Sequence, residues 1–437
     1  MADGSFGSNS DQDYQDKDGE EEFMISGRAM KIIKTNILTP VSEKELLFKP
    51  DQYLTIEGTK IKEITGEHRA NYLDYSHSVC LPGFIDTHVH LSQFKVRGKH
   101  AQGLLDWLER YIFQEEKRAA DQNYAAELAD SFFSALAAQG TTTAVVYVAP
   151  NPEACDIAFQ IAREKGLRII MGQTLMDMNC PDYLCRSTEQ SLREAVELYN
   201  KWNKATPLLE YVFTPRFAPV CSSALMKGIG KFAAENNAYI QTHLSENKDE
   251  IEWVKELFPE SSSYTDVYEK HGLLGGKTLL GHAIHLADEE IRTLIATGSK
   301  ITHCPDSNFF LHSGSFPLKK IIDSGIDFAL ASDVGAGTTL YMPEIMKMFI
   351  YRQDEYRATP AEAFYYATLG GAKVLGKEQL TGSLETGKEA DLVFLRLPQE
   401  INMDSAEIIS YLIYLSKTGD IYATYTAGRE CYRKGKE

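Results

Sequence analysis

The sequence predicts an α/β protein: a (β/α)8 barrel of the TIM type with a small β-sandwich-like domain built from both chain ends. Three observations carry this reading. The middle of the chain alternates strand-like and helix-like patterns eight times, both ends read as short β segments, and 437 residues exceed the roughly 250 that a barrel needs.

Taken in order, residues 1–25 read as an acidic disordered tail. The first 22 hold eight acidic residues and one Lys, and such a stretch buries too little apolar surface to offset the entropy of ordering it. Residues 26–80 form the N-terminal part of the sandwich-like domain. AMKIIKTNILTP, KELLFKP and QYLTIEGTKIKEI alternate apolar and polar residues between Gly and Pro punctuation, the pattern of antiparallel strands. The barrel takes residues 81–376. Its strands are predicted at 83–90 (GFIDTHVH), 141–148, 167–175, 209–215, 238–243, 277–282 (KTLLGH), 299–305 and 327–333 (DFALASD). Helical patterns lie between them, as in QNYAAELADSFFSALAAQG and TEQSLREAVELYNKWNK, whose apolar residues recur at i, i+3 and i+4. Residues 377–437 return to β patterns. SLETGKEADLVFLRL has a Gly-Lys turn before a buried run, and IYATYTAGRECYRKG reads as a hairpin that completes the sandwich-like domain. A five-repeat or doubly wound sheet is the alternative if short strands such as KTLLGH fail to form.

Composition narrows the function class. With 43% apolar and 24% charged residues the chain is ordinary globular protein, and its net charge of −17 argues against a nucleic-acid or anionic-membrane surface. No apolar run approaches the roughly 18 residues of a membrane span, and the acidic N-terminus is unlike a signal or transit peptide. The seven Cys are scattered without a C-x-x-C pair, which fits reduced thiols and a cytoplasmic protein. Cys180-x4-Cys185 and Cys304 are accordingly read as ordinary thiols.

A barrel of this kind carries its active site at the C-terminal ends of its strands. The polar residues at the predicted ends are His88, His90, Arg216, His243, His282, His303 and Asp333, so five of the eleven His sit where a core wants apolar side chains. His88 and His90 share one strand face, because side chains two apart point the same way, and converging imidazoles suit a zinc ion. Alone, such a pair is weak evidence against two satisfied rim histidines. His243 ends its strand with Glu246 three residues on, which places an acid beside a metal; Ser245 and the acids that follow also suit the first turn of a helix. Asp333 ends a largely apolar strand, where a carboxylate is costly without a partner, and Val-Gly-Ala-Gly follows it. His282 is a ligand or a donor to the nucleophile. His303 lies in THCPDSN, a strand-ending loop, and receives no ligand role. His68, His77, His100, His271, His285 and His312 fall outside the strand ends and read as solvated or satisfied.

PGFIDTHVH, His243, His282, Asp333 and the closing GSLETGKEADLV together resemble the amidohydrolase superfamily. No Lys ends strand 4, so the resemblance implies a single metal. Within the superfamily, DTHVHLSQF, LLDWLERYIFQEE, TPRF, HLSEN, HCPDSN and SDVGAG are similar to the guanine deaminase family over nearly all of residues 26–437. That resemblance implies one zinc on His88, His90, His243 and Asp333, with His282, Glu246 and Asp333 as catalytic groups. It implies guanine contacts from Gln93, Arg216 and Phe217, beside His243, Glu246 and Asp333, and a homodimer.

The residue chemistry is consistent with this. Zinc lowers the pKa of water from 15.7 to about 7. Asp333 is suited to accept the proton released, His282 to orient the nucleophile toward C2, and Glu246 to deliver protons to N3 and to the departing amine, giving xanthine and ammonia. Gln93 has both donor and acceptor, Arg216 donates to a carbonyl such as O6, and Phe217 stacks on the ring. Two rivals differ in class. An aminohydrolase of another purine, a pterin or a triazine would keep the zinc residues but change Gln93 and Arg216. A catalytically silent scaffold would have lost ligands, and the C-terminal RKGKE lacks the apolar last residue that PDZ-type capture prefers.

Overall fold

The computed structural model describes residues 23–25, 28–353 and 355–435. Of the predicted tail at residues 1–25, residues 1–22 lie outside them. Phe23–Ile25 form a short strand paired with Arg28–Met30, which corrects the disordered expectation for those three residues, since a neighbouring strand supplies backbone partners that the sequence pattern does not show. Two eight-stranded sheets organise the chain.

The first sheet joins the chain ends. It contains β1 (Phe23–Ile25), β2 (Arg28–Pro40), β3 (Leu46–Glu57), β4 (Lys60–Thr65), β5 (Leu73–Pro82), β14 (Leu392–Arg396), β15 (Ile421–Thr426) and β16 (Arg429–Arg433), in the order β16-β15-β14-β5-β2-β3-β4 with β1 on β2. Pairing is antiparallel except between β2 and β5, where Ile33 faces Leu73 and Ile37 faces Cys80 in parallel register. The purely antiparallel expectation for the N-terminal segment is corrected at that seam. β2 and β5 are separated by the β3–β4 hairpin, and a chain that re-enters beside β2 after it runs in the same direction as β2. Ile33, Leu54, Ile61, Tyr75, Leu392 and Tyr425, one from each of six strands, fall in one buried apolar cluster enclosed by the sheet.

The second sheet is the barrel. Its strands β6 (Phe84–His90), β7 (Thr141–Val148), β8 (Arg168–Leu175), β9 (Leu209–Pro215), β10 (Tyr239–Leu244), β11 (Thr278–His282), β12 (Lys300–His303) and β13 (Phe328–Leu330) run parallel in sequence order. The last strand is shorter than the predicted 327–333, because its far half leaves the β12 ladder to close the ring. Asp333 N donates to His88 O at 2.9 Å and His90 N donates to Val334 O at 2.6 Å. Asp86 strengthens this closure by accepting from Ser332 N at 3.0 Å and from the Ser332 hydroxyl. β6, β7 and β8 are buried along their whole length, as strands covered on both faces must be.

The helices pack outside. The two predicted amphipathic helices span Gln122–Ala138 and Thr188–Trp202, capped by Asp121 and Ser187. After β10 the helix Lys248–Leu257 is capped by Asn247, not by Ser245. Ser245 has φ +48°, in the left-handed region, so the chain turns sharply before the helix can begin. No helix among the described residues is long and apolar enough to cross a membrane. Cys180 and Cys185 form a disulfide, which corrects the reading of both as ordinary thiols. The turn after β8 makes the difference: Leu184 N and Cys185 N both donate to Pro181 O, folding the short loop until the two Cα atoms are 5.6 Å apart. Cys304 stays a free, buried thiol.

Candidate active site

The C-terminal ends of β6 and β10 and the segment after β13 bring four side chains together. His88 Nε2, His90 Nε2 and Asp333 Oδ1 form a triangle with 3.2 Å on every side. His243 Nε2 lies 3.4 Å from His90 Nε2. One potential ligand atom from each of His88, His90, His243 and Asp333 falls within 4.8 Å of all the others.

Local structure explains the convergence. Two-residue spacing on β6 turns both His88 and His90 inward. Gly281 on β11 makes room for the first of them, since a Cβ there would stand 2.8 Å from His88 Cε1. His243 Nδ1 donates to the Arg216 carbonyl at 2.7 Å, which fixes the N–H on that nitrogen and aims the Nε2 lone pair at the centre. Asp333 has φ +48° and His282 has φ +67°. Left-handed backbone is strained for such residues, and here it tips both side chains into the barrel mouth.

The protonation states suit a cation. Burial pushes the His88 imidazole down to about 4, against the pull of Asp333, and it also lowers His90 and, more strongly, His243. Burial works to raise Asp333, but hydrogen bonds from His88 and His90 outweigh it and hold the carboxyl well below the usual range. Three neutral imidazoles and one carboxylate, crowded about a common point, are a donor set that could hold a metal ion. A second grouping of His88, His282, Cys304 and Asp333 overlaps the first. Burial drives the Cys304 thiol far above its ordinary value, so it keeps its proton and is the poorer ligand.

His282 stands beside this cluster. Its Nε2 is 3.7 Å from Asp333 Oδ2 and 3.5 Å from Glu246 Oε2, while its Nδ1 donates to Asn308 Oδ1 at 2.9 Å. Burial opposes the imidazolium, yet the facing Glu246 and Asp333 carboxylates prevail and raise its pKa. Glu246 is 3% exposed and accepts from the Ser313 hydroxyl at 3.1 Å. Burial pushes its carboxyl up to about 7, which keeps a proton on it near neutrality.

Gln93, Arg216 and Phe217 line the same pocket, with Trp107, Leu108 and Leu311 as apolar walls. Gly335 admits the Gln93 backbone, whose carbonyl would lie 2.7 Å from a Cβ at that position. Arg216 Nη1 donates to Glu116 Oε2 at 2.8 Å, and Phe217 meets Trp253 edge-on with ring centroids 6.2 Å apart. Every side chain singled out as a site residue therefore borders this pocket or the four-atom cluster at its base. His303 ends β12 but stacks on Phe316 at 4.0 Å, away from the cluster. Sequence reasoning did not single out Asn308, Glu116, Ser313, Trp107 or Leu311. Asn308 and Glu116 lie inside HCPDSN and LLDWLERYIFQEE, and their partners are 26 and 100 residues away, so no spacing in the chain announces the contacts.

The comparisons with known proteins agree with this geometry. The model of the amidohydrolase family matches residues 79–431. The chain is 39% identical over 372 residues to a guanine deaminase of Escherichia coli (strain K12), covering 83% of this chain and 84% of that one. It is 37% identical over 332 residues to a guanine deaminase of Dictyostelium discoideum, with 73% of each covered. Among solved structures, a guanine deaminase from C. acetobutylicum with guanine bound in its active site superposes with a TM-score of 0.88. That pair shares 31% identity over 92% of this chain and all of that one.

Proposed function

The chain belongs to the amidohydrolase family, and on that premise we propose that it hydrolyses guanine to xanthine and ammonia. One juxtaposition carries the reading. The three-imidazole, one-carboxylate cluster and the proton-bearing Glu246 open into the same pocket as Gln93, Arg216 and Phe217.

In this reading His88, His90, His243 and Asp333 would hold one zinc ion. Bound there, zinc would supply the Lewis acidity that makes water a nucleophile near neutral pH. Asp333 takes the proton released as water adds to C2 of guanine, and its second oxygen faces His282, which keeps the proton within reach of Glu246. Glu246 gives its proton to N3 as the C2–O bond forms. A second proton, the one Asp333 took from water, reaches the exocyclic amine along the same carboxylates; the C2–N bond breaks, ammonia leaves, and the C2 hydroxyl gives its proton back to Glu246 as it becomes the new carbonyl. The hydrogen bond from His282 Nδ1 to Asn308 holds that imidazole in place throughout. Gln93 can both donate to and accept from an amide-like edge, Arg216 donates to the O6 carbonyl, and Phe217 lies against the ring. Trp107 and Leu108 close the apolar side and exclude bulk water. The homodimer expected from the family is part of the proposal; light scattering on the purified chain tests it.

Purified full-length protein with guanine tests the main claim by release of xanthine and ammonia, with adenine, cytosine and an s-triazine as controls. About one zinc per chain is expected, lost with activity in His88→Ala while the fold persists. Two metals per chain, or a preference for adenine or the triazine, overturns the assignment.

A further inference from the structure

The segment LLDWLERYIFQEE does more than wall the pocket. It begins as helix Leu104–Trp107, widens into a π-helical turn at Leu108–Ile112 and continues as helix Phe113–Arg118. Its first part puts Trp107 and Leu108 against the substrate space. Its last part sends Glu116 beneath the pocket wall, where the carboxylate is 2% exposed and accepts from Arg216 Nη1 at 2.8 Å. The other Glu116 oxygen accepts from the Ser92 hydroxyl at 3.4 Å, and Ser92 is the neighbour of Gln93. Arg216 is itself only 3% exposed.

We propose that Glu116 is a positioning and charge-balancing residue that makes Arg216 select a neutral carbonyl oxygen on the substrate. The proposal rests on the reading of Arg216 as the O6 contact. A guanidinium is a rigid planar fork, so a bond at one corner fixes its orientation and leaves the remaining donors aimed into the pocket. The charge matters equally. An unpaired buried cation would draw an anion from solution, because a buried charge is tolerated only when paired. With Glu116 in place the pair is already neutral, and the pocket offers directed hydrogen bonds without an excess positive field. A neutral purine carbonyl suits it, whereas a carboxylate or phosphate would face Glu116 as an unfavourable third charge. Through Ser92 the same carboxylate also braces the turn that carries Gln93, so one residue coordinates both ends of the recognition edge.

The variant Glu116→Gln keeps the size and one oxygen acceptor while removing the charge. It is expected to raise KM for guanine about tenfold or more with little change in kcat, zinc content unaltered, as loss of a fixed charged donor does. The kcat/KM preference for guanine over 2-aminopurine, which lacks the carbonyl, should shrink by a similar factor. Purine-6-carboxylate, an anionic analogue, should become a tighter competitive inhibitor. Glu116→Asp keeps the charge but withdraws the carboxylate by one methylene: guanine KM should rise while inhibition by purine-6-carboxylate stays at the wild-type level. Should Glu116→Gln fail to fold, the Asp variant carries the comparison. Wild-type KM and selectivity in Glu116→Gln, or losses spread equally over guanine and 2-aminopurine, overturn the proposal. Arg216→Ala separates the two levels. If it keeps wild-type guanine kinetics, the O6 reading itself fails; if it loses affinity and Glu116→Gln does not, only the role given to Glu116 fails.

Discussion

Glu246 and Asp333 illustrate at the scale of one residue how the same functional group is set to two tasks. Both are buried carboxyls within reach of His282. Asp333 is held by hydrogen bonds from imidazoles and stays ionised, while burial outweighs the nearby His282 and the Ser313 hydroxyl and pushes Glu246 up to about 7. A proton donor needs its proton, so kcat should be high below about pH 7 and fall as pH rises through that value. Glu246→Gln is expected to lower kcat by roughly 10²-fold or more with zinc retained, and the residual activity should lose this alkaline limb. A kcat–pH profile of both proteins checks it; an unchanged limb in the variant assigns the ionisation to another group. Much of this was legible in the chain, since His and Asp at the ends of apolar strands are conspicuous. The fourfold meeting of His88, His90, His243 and Asp333 was legible only through the inferred barrel, because strand ends converge in space whatever their separation in sequence. Asn308 and Glu116 were not legible: each acts on another side chain, and an Asn or Glu on a short helix carries no mark of its partner.

At the scale of an element, the stretch from His243 to Glu250 shows how local structure delivers a reactive group. The strand ends, Ser245 turns the chain, and the helix starts at Asn247 in a reciprocal cap. Asn247 Oδ1 accepts from Asp249 N at 2.9 Å, and Glu250 Oε2 accepts from Asn247 N at 3.1 Å. Glu250 Oε2 also accepts from Glu246 N at 2.9 Å, so the cap that stabilises the helix clamps the backbone of the proton donor. Asn247→Ala should therefore cost about 1 kcal/mol of stability and also lower kcat, while Asn247→Ser should retain most of both. Chemical denaturation with parallel kinetics tests this, and equal behaviour of the two variants would remove the cap from the account. The start of the helix was legible from Ser245 and the acids that follow it, and its cap was misplaced by two residues. Ser and Asn are comparable caps by type, and only the left-handed turn at Ser245 decides between them. The disulfide was missed for a related reason: Cys-x4-Cys has no regular signature, and the bond depends on a tight loop at Pro181.

Across the whole molecule, the barrel is fastened to the sheet of the chain ends by a buried ionic seam at the face opposite the active site. Arg168 opens β8 at 2% exposure, and its Nη2 donates to Asp391 Oδ2 at 3.0 Å and also to Glu389. Asp391, likewise 2% exposed, accepts from Ala427 N at 2.7 Å, and its backbone carbonyl accepts from Gly83 N at 2.9 Å just before β6 begins. One residue, through its carboxylate and its backbone carbonyl, thus ties together the start of the barrel, its third strand and the turn between β15 and β16. Seven residues of β8 separate Arg168 from Leu175 at the catalytic end, about 23 Å of extended strand, so the seam and the chemistry should respond independently. Arg168→Ala leaves Asp391 buried beside Glu389 with no cation, and breaking such a pair costs about 3–5 kcal/mol. The expected result is a markedly lower Tm with wild-type kcat and zinc content at a temperature where the variant is still folded. Replacing both partners, Arg168→Met with Asp391→Asn, removes the stranded charge and should cost less than the two single changes added together. A double-mutant cycle by thermal or denaturant unfolding measures that difference. Simple additivity would mean that the ion pair contributes nothing to the seam, and that apolar packing between the two sheets holds them together by itself.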